Sequence, residues 1–375
     1  MILKLPACVT MKVTLVKAFS KGVMQMAQEK QFDIPKTMKA WQVTTPGPID
    51  GDRSPLEFVD KPVPEPGRGE VLVKVLACGV CHTDLHVAEG DLPVHKDHVT
   101  PGHEIVGIVV KQGPESSRFK LGQRIGIPWF RHACGVCKFC RSGNENLCKS
   151  SVYTGWDHDG GYAEYVTAPE GFAYELPDEF NDLTAAPLLC AGIIGYRSFL
   201  RANVPAGGRL GIYGFGGSAH ITAQIALAQG DEVYAFTRGK DSRAYAKKLG
   251  CAHVGKAYDD SPKPLDSAII FAPVGDMVPL ALRNLKPGGT LACAGIHMSD
   301  IPQMSYEDCV FHEKVLTSVE SNTRRDGEEF LTLASRLHIE PKVTPYPLAK
   351  ADEALKRLKV GDVAGAYVLK VGTDE

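Results

Sequence analysis

The sequence lacks the features that mark membrane, secreted and repeat proteins. No apolar run approaches the roughly 18 to 20 residues that a transmembrane helix needs. Residues 1–37 contain no continuous apolar core followed by a small-residue cleavage site, which is the pattern of an export signal. The chain has neither an internal repeat nor a low-complexity tract. These absences predict a soluble cytoplasmic protein without a membrane partner.

The chain also lacks a strong excess of either charge. Its 42 Lys and Arg residues against 44 Asp and Glu residues give a formal net charge of −2, and the basic residues are scattered. A nucleic-acid partner normally requires a basic stripe or run, so none is expected. With 375 residues the chain is long for one domain, and we expect two.

Cysteine, in contrast, is plentiful, with 11 residues. A secreted disulfide framework is one interpretation of that number. However, no export signal is expected, and six of the cysteines lie in short motifs with histidine nearby. We therefore interpret these six as metal ligands.

Turn residues and apolar periodicity divide this α/β chain into three parts. Residues 1–37 show no convincing strand or turn pattern and are interpreted as an N-terminal extension. Residues 38–188 and 322–375 contain short apolar strands separated by Gly and Pro, which predicts a mostly β domain built from two segments. Residues 189–321 alternate strands with helices, which predicts a doubly wound parallel sheet. The clearest predicted strands are Met38–Val43, Val71–Leu76, Ile105–Lys111, Tyr162–Val166, Arg209–Tyr213, Glu232–Phe236, Val343–Pro347 and Ala366–Val371, and the clearest helices are Ala219–Gln229 and Asp241–Leu249.

Four closely spaced cysteines predict a structural zinc site. Cys134, Cys137, Cys140 and Cys148 follow the pattern C-x2-C-x2-C-x7-C within one loop. Four thiolates so close in sequence suit a closed tetrahedral zinc, and lysine and arginine neighbours offset their charge. Free or oxidised cysteines and an iron–sulfur cluster are the alternatives.

A second set of metal-ligand residue types is spread along the chain. Cys81 and His103 each lie in a short motif with polar neighbours, and Cys190 lies further on. A Cys, His, Cys set leaves the fourth zinc position open for water or an alcohol, as in a catalytic site. Buried Cys and His are common in cores, so only the combination indicates a metal site.

A glycine-rich turn predicts a dinucleotide site. Gly214, Gly216, Gly217, Ser218 and Ala219 match G-x-G-x-x-G/A, with Ala219 in the third position, between a predicted strand and a predicted helix. The glycines permit a tight turn and let a pyrophosphate reach the helix N-terminus.

The end of the next strand lacks the acidic residue that binds a ribose 2′-hydroxyl. The sequence there ends in Thr237 and Arg238, so no carboxylate repels a 2′-phosphate, and Arg238 is suited to pair with one. We expect NAD or NADP, with a slight preference for NADP. The alternative is that Arg238 is a solvated surface residue and NAD binds.

These motifs, in this order, resemble the medium-chain zinc-dependent alcohol dehydrogenases from about Met38 to the C-terminus. The resemblance implies a GroES-like catalytic domain interrupted by a Rossmann domain. It implies reversible oxidation of primary alcohols to aldehydes by hydride transfer to NAD(P), with two zinc ions per subunit and a small alcohol or aldehyde as partner. The short loop between Cys148 and Gly160 favours the bacterial and yeast branch, which is usually a homotetramer.

The resemblance also assigns roles near the catalytic zinc. Cys81, His103 and Cys190 fall on the zinc ligands, and Glu104 falls on an acid that lies near the metal and transiently coordinates it. Asp84 matches the carboxylate that orients the ligand histidine.

Four further residues match the family's proton path and pyrophosphate contacts. Thr83 matches the hydroxyl that accepts the substrate proton, and His86 matches the residue that passes it towards solvent through the cofactor ribose. His82 and Arg324 match positions that contact the pyrophosphate. In the mechanism this implies, zinc lowers the pKa of the alcohol, the proton leaves through Thr83 and His86, and a hydride passes to the nicotinamide.

The predicted substrate pocket, which Thr83 also lines, departs from that of the ethanol-preferring members. Ala88 and Leu92 stand where those enzymes often have tryptophans, although Trp129 and Phe130 keep an aromatic wall. A roomier apolar pocket predicts longer or aromatic alcohols as substrates.

Three rival interpretations stay open at this stage. A zinc-free quinone or enoyl reductase on the same two domains would need neither zinc motif. An NADP-dependent cinnamyl-type aldehyde reductase is favoured by Thr237 and Arg238. A zinc-ribbon module fused to a nucleotide sensor would be a non-catalytic protein, but it gives no reason for Thr83 and His86 to follow Cys81 so closely.

Overall fold

A computed structural model of the chain describes residues 32–50, 53–361 and 365–372. The described residues from Asp33 onward form one compact unit. Of the predicted extension over residues 1–37, all but residues 32–37 lie outside the described residues, so its role stays open.

The first chain segment folds mainly into strands. They are β1 (Thr37–Val43), β2 (Leu56–Pro62), β3 (Glu70–Val80), β4 (Ile105–Gln112), β5 (Arg124–Ile127), β6 (Phe130–His132), β7 (Val152–Tyr153), β8 (Tyr165–Pro169) and β9 (Tyr174–Glu175). The α-helices of this segment are α1 (His82–Glu89), α2 (Lys138–Arg141) and α3 (Asp182–Ala185). Short 3-10 helices cover Glu145–Leu147, Glu170–Phe172 and Ala186–Leu189.

Strands and helices alternate in the middle segment. In chain order they are α4 (Ala191–Ala202), β10 (Arg209–Tyr213), α5 (Gly217–Ala228), β11 (Glu232–Phe236), α6 (Lys240–Leu249), β12 (His253–Gly255), β13 (Leu265–Ile270), α7 (Met277–Arg283), β14 (Leu285–Cys293), α8 (Tyr306–Cys309) and β15 (Val315–Ser318). The strands form a six-stranded parallel sheet in the order β12-β11-β10-β13-β14-β15. Its central strands are buried almost throughout because helices cover both faces, as is usual for a doubly wound sheet.

The last segment returns to the first sheet. It contains α9 (Arg324–Arg336), β16 (Val343–Pro347), a 3-10 helix (Leu348–Lys350), α10 (Ala351–Val360) and β17 (Ala366–Lys370). Strand β17 pairs antiparallel with β3, and the seven-stranded sheet has the order β16-β17-β3-β4-β5-β9, with β8 also paired to β3. The remaining strands form the pairs β1-β2 and β6-β7. The return predicted after about Ser321 is therefore present, whereas the exact domain boundaries stay a prediction.

Most predicted elements agree with the structure to within a few residues. Helix α6 ends at Gly250, whose φ of 95° is the left-handed conformation that favours glycine. The strand predicted over Tyr162–Val166 is misplaced, because β8 begins only at Tyr165. The amide of Tyr162 instead donates to the carbonyl of Pro101 at 2.9 Å, which ties this segment to the loop before β4.

The described part of the chain contains no single helix that is long and apolar enough to cross a membrane. One pair of helical segments, Asp182–Leu189 and Ala191–Ala202, reaches that length and composition together, with a bend of 42° at the break between them.

Candidate functional site

Four potential metal ligands from distant parts of the chain converge at one point. Cys81 follows β3, His103 and Glu104 precede β4, and Cys190 precedes α4. One ligand atom of each residue lies within 4.8 Å of the ligand atoms of the other three. The Sγ atoms of Cys81 and Cys190 are 3.9 Å apart. The structure therefore brings together the residues that the sequence predicted as catalytic zinc ligands.

Asp84 organises this cluster from within helix α1. Its Oδ1 lies 3.0 Å from Nδ1 of His103 and accepts a hydrogen bond from the amide of Gly102, also at 3.0 Å. Its Oδ2 accepts from the hydroxyl of Tyr162 at 3.1 Å and from the amide of Cys81 at 2.9 Å. One buried carboxylate thus fixes both the histidine ring and the turn that carries Cys81.

The second nitrogen of His103 has no hydrogen-bond partner. Nε2 is buried, as is Oε2 of Glu104, which also lacks a partner. Buried polar atoms are normally satisfied, so two unpartnered atoms among thiols indicate a missing ligand. In the neutral ring, the Asp84 carboxylate keeps the proton on Nδ1, which leaves the lone pair of Nε2 for a metal. Two thiols and a neutral imidazole are the donor set of a catalytic zinc, so the residues fit that metal.

Glu104 reaches the cluster because residue 79 has no side chain. A Cβ built on Gly79 would lie 1.7 Å from Oε2 of Glu104, so any other residue would displace the carboxylate. Burial and the charge of Cys81 raise the pKa of Glu104 well above its usual range. Glu104 thus lies beside the other potential ligands, as predicted, and its raised pKa favours the protonated form.

The four-cysteine loop forms a second cluster. Cys134, Cys137, Cys140 and Cys148 present their sulfur atoms within 4.8 Å of one another. The backbone amides of Val136 and Cys137 lower the pKa of Cys134 to about 6, which favours the thiolate form that binds a metal. This all-cysteine set fits a closed structural zinc site.

The predicted proton-path residues lie on helix α1. Thr83 is buried, and its Oγ1 lies 3.8 Å from Sγ of Cys81. Nδ1 of His86 lies 2.7 Å from Oδ2 of Asp91, and its ring centroid is 5.4 Å from that of His297, in the loop after β14. His82, predicted to contact pyrophosphate, is the first residue of the helix and is exposed. The pyrophosphate contact of His82 stays a prediction.

The predicted glycine turn lies between β10 and α5. Gly214 has a φ of 87° and packs so closely that a Cβ would lie 2.9 Å from the amide nitrogen of Ala272. Helix α5 begins at Gly217, so the free amides of its first turn, including those of Ser218 and Ala219, lie next to the turn. A dinucleotide pyrophosphate is the ligand that such an arrangement accepts.

A cationic recess lies at the end of β11. Arg238, Arg243 and Lys256 line an open space of ≈ 430 Å³ together with Tyr258 and Asp259. The guanidinium of Arg243 donates to the carbonyl of Thr237 at 2.9 Å and to that of Arg238. The sequence singled out Thr237 and Arg238 but missed Arg243 and Lys256, because no fixed spacing links a strand end to the next helix and strand.

The predicted pocket walls do not all lie together. Trp129 meets the His103 ring edge-on, with centroids 5.0 Å apart. Leu92 packs on the core of the first domain and lines a small cavity of ≈ 140 Å³. Ala88 is wholly buried in that core, and Phe130 packs with Phe172 beside the four-cysteine loop. The structure thus gives no support to Ala88 and Phe130 as pocket walls.

An aromatic stack that the sequence did not single out adjoins Trp129. The rings of Tyr153 and Trp156 stack with Trp129 at centroid distances of 4.7 Å and 5.9 Å. His95 stacks on Trp156 at 4.0 Å. The only sequence signal for this stack was two aromatic residues in the loop that follows Cys148.

The side chain of Arg324 forms an ion pair with Glu145, which lies between Cys140 and Cys148 in the four-cysteine loop. Its Nε and Nη2 donate to the two carboxylate oxygens of Glu145 at 2.9 Å and 2.7 Å, and its guanidinium lies over the ring of Phe172. A pyrophosphate contact from Arg324 therefore stays a prediction that requires its release from Glu145.

Comparison with known protein families identifies two matching regions. Residues 67–178 match the alcohol dehydrogenase GroES-like domain. Residues 217–336 match the family described as zinc-binding dehydrogenase.

Individual relatives agree with this. The chain is 56% identical over 340 residues to a probable alcohol dehydrogenase, AdhA, of Mycobacterium tuberculosis, covering 89% of this chain and 98% of that protein. Acetophenone reductase from Geotrichum candidum, solved in complex with NAD, superposes with a TM-score of 0.81 at 28% identity, over 90% of this chain and 98% of that one. The CAD of Helicobacter pylori, complexed with NADP(H), gives a TM-score of 0.80 at 26% identity, over 90% and 99% of the two chains.

Proposed function

Because the chain belongs to the medium-chain zinc-dependent alcohol dehydrogenases, we propose that it interconverts primary alcohols and aldehydes with NADP as its preferred cofactor. The observation that carries this proposal is the unpartnered Nε2 of His103 between two thiols, beside the buried carboxylate of Glu104. A zinc-free reductase on the same fold would not need that cluster. A non-catalytic sensor would not need Thr83 beside it.

Cys81, His103 and Cys190 would hold the catalytic zinc. A zinc ion bound there supplies a Lewis acid that lowers the pKa of an alcohol. Asp84 keeps Nε2 of His103 free by accepting a hydrogen bond from Nδ1–H. Glu104 stands next to the ligands as the acid that the family places near the metal.

Thr83 and His86 would remove the alcohol proton. The Thr83 hydroxyl lies beside Cys81 and is shielded from solvent, which supports its role as the group that accepts the proton and passes it on. The His86 ring is held at Nδ1 by Asp91, which leaves its other nitrogen to receive that proton and release it to solvent.

The glycine turn would bind the nicotinamide dinucleotide, which supplies the hydride acceptor. Arg238, Arg243 and Lys256 support the choice of NADP, because three cations and only one acid line the recess at the end of β11. A 2′-phosphate would gain charge-assisted hydrogen bonds there. The 2′-hydroxyl of NAD would lack its usual carboxylate partner, because Thr237 and Arg238 stand at the end of the strand where an acidic residue is expected.

The proposed substrates are alcohols larger than ethanol. Trp129 borders His103, and the stack with Tyr153 and Trp156 extends this aromatic surface. A flat apolar wall favours aromatic rings through stacking. The same observation favours an NADP-dependent cinnamyl-type aldehyde reductase as the second candidate.

A homotetramer is the proposed assembly. The edge strand β15 of the parallel sheet exposes Val315 and Leu316, with Tyr306 and Phe311 nearby in sequence and also exposed. An exposed apolar edge is a place for pairing with a second copy, which accounts for a dimer within the assembly. The fourfold assembly itself rests on the short loop between Cys148 and Gly160. The cytoplasmic location stays a prediction from the sequence.

The test is the formation or loss of reduced nicotinamide, followed by its near-ultraviolet absorbance. Wild-type protein is assayed with NAD and then NADP, using alcohols from ethanol to benzyl alcohol, cinnamaldehyde in reverse, and a chelated sample. Cys81→Ser is the matched variant, expected to bind cofactor without turnover. The proposal fails if no alcohol or aldehyde reacts with either cofactor, or if chelation and Cys81→Ser leave the rate unchanged.

A further inference from the structure

His220 lies in the first turn of helix α5, directly behind the glycine turn. Its side chain is completely buried, and its two ring nitrogens face different parts of the chain. Nδ1 lies 3.1 Å from the carbonyl oxygen of Gly216, and Nε2 lies 3.2 Å from the backbone nitrogen of Lys342. The ring therefore bridges the turn to the segment that leads into β16.

The two contacts fix the tautomer of the ring. The amide of Lys342 is a donor, so Nε2 must accept, and Nδ1 carries the proton that it donates to Gly216. Burial lowers the pKa of His220 to about 4, so the ring is neutral at physiological pH and makes both contacts.

The Lys342 end of the bridge continues into the seven-stranded sheet, called the catalytic sheet below because Cys81 follows its strand β3. The carbonyl of Lys342 accepts from the amide of Ala366 at 2.8 Å, at the start of β17. Strand β17 pairs with β3, which ends just before Cys81. A series of hydrogen bonds through the His220 ring and the backbone thus joins the dinucleotide turn to the strand that precedes Cys81.

The turn and the last segment also approach each other directly. A Cβ on Gly217 would lie 3.6 Å from the Cβ of Ala191 and 3.7 Å from the carbonyl oxygen of Gly365. The start of α5 therefore contacts both the helix that follows Cys190 and the strand that returns to the catalytic sheet. A small displacement of the turn would change the distance between a bound nicotinamide and the metal ligands.

We infer that His220 is a positioning residue that holds the cofactor-binding turn in register with the catalytic sheet. The inference rests on the proposed function, because it assumes that the glycine turn binds the dinucleotide. His220 touches no substrate or reacting atom and acts through the backbone of Gly216 and Lys342.

Gln224 provides a matched control one turn further along α5. Its amide donates to the carbonyl of Glu340 at 3.2 Å and accepts from the amide of Glu340 at 2.9 Å. Gln224 thus braces the same helix against the same segment without touching the glycine turn. If the two residues only held α5 against this segment, His220→Ala and Gln224→Ala would weaken cofactor binding to the same extent.

The experiment measures the Kd of NADPH and NADH by cofactor fluorescence, together with Tm, for the zinc-loaded wild type and both variants. His220→Ala is expected to weaken binding about tenfold, roughly the effect of losing one well-formed hydrogen-bonded contact. Gln224→Ala is expected to lower Tm and to leave Kd within about twofold of wild type. At saturating cofactor, the KM for the alcohol should stay unchanged in both.

Two conservative variants test the bridge itself. His220→Asn keeps a donor near the Nδ1 position, and His220→Gln keeps an acceptor near the Nε2 position, so each retains one end only. Neither is expected to restore wild-type affinity. The inference is overturned if either one restores it, or if His220→Ala binds NADPH as tightly as wild type or no more weakly than Gln224→Ala. Wild-type protein that binds neither cofactor would overturn the proposed function and this inference with it.

Discussion

Asp84 and His103 form a buried pair, with Oδ1 and Nδ1 3.0 Å apart and each side chain about 1% exposed. A carboxylate that orients a ligand histidine also raises its basicity and thereby strengthens the metal bond. The pair is the most constrained contact of the candidate catalytic cluster, because the same carboxylate also binds Gly102, Tyr162 and Cys81.

Asp84→Asn is therefore expected to weaken zinc binding at the catalytic cluster by about 10- to 100-fold. The asparagine side chain has the same shape as the carboxylate, but its amide nitrogen cannot accept the hydrogen bonds that the replaced oxygen accepts. Zinc content after dialysis against a graded chelator checks this, with Asp91→Asn as a control that removes a carboxylate bound to His86 outside the cluster. Equal zinc retention in wild type and Asp84→Asn would contradict the orienting role.

Replacing cations in the β11 recess should shift cofactor preference. Arg238→Ser and Lys256→Ala are each expected to raise the KM for NADP about tenfold or more while changing the KM for NAD little, because only NADP carries the 2′-phosphate. Steady-state kinetics with both cofactors measure the ratio. Lys240→Ala, at the start of α6 and not among the residues lining the recess, is the charge-matched control. If the ratio of the KM for NADP to the KM for NAD changes equally in all three variants, the recess is not a local site for the 2′-phosphate.

The four-cysteine loop should contribute stability and little chemistry. Cys140→Ser is expected to reduce zinc from two ions to one per subunit and to lower Tm, because a structural zinc supplies folding energy directly. Cys251→Ser removes a partly buried thiol outside both clusters and should keep both ions. Metal analysis and thermal unfolding provide the comparison, and a Cys140→Ser protein that retains two zinc ions would refute the assignment.

Glu145 and Arg324 connect that loop to the start of α9. Glu145→Gln is expected to cost about 1–2 kcal/mol of unfolding free energy, a modest value because the Arg324 side chain is 44% exposed. If Arg324 serves the pyrophosphate, as predicted from the sequence, its release from Glu145 should also tighten NADPH binding. Urea unfolding and fluorescence titration measure the two effects separately. Weaker stability with unchanged NADPH affinity would show that Arg324 has a structural role only.

Acid should destabilise the protein partly through His220. Burial lowers the pKa of this residue in the folded chain from its ordinary 6.5 to about 4. Between these values the unfolded chain binds a proton that the folded chain excludes, so the unfolding free energy falls as the pH falls through this window. The full effect corresponds to about 3 kcal/mol. Wild type should exceed His220→Gln in stability at pH 7 by more than at about pH 5, and a constant difference would contradict this.

The local parts of the site were predictable because their geometry is encoded by neighbouring residues. Gly214, Gly216 and Gly217 specify a turn through their own backbone freedom, and the four cysteines specify a cluster through their spacing. The predicted catalytic zinc ligands were weaker candidates, because residues 81, 103 and 190 are far apart in sequence and only their residue types and the family resemblance suggested that they meet.

Long-range partners could not be predicted in this way. Arg324 was expected at the pyrophosphate, but its pairing with Glu145 depends on how two segments that are far apart in sequence pack. Ala88 was expected to widen the pocket, but its side chain is buried in a core whose members come from both ends of the domain. No motif surrounds His220 in the sequence, and its distant partner Lys342 comes close only in the fold.

The pairing of β17 with β3 also bears on how the protein is made. Strand β3 ends just before Cys81, yet one of its hydrogen-bonding neighbours, Ala366–Lys370, lies beyond the whole middle segment in the sequence. The parallel sheet of the middle segment has all its strands available earlier and can fold first. During synthesis β3 therefore cannot pair with β17 until the middle segment has been made, and the seven-stranded sheet is completed after the parallel sheet.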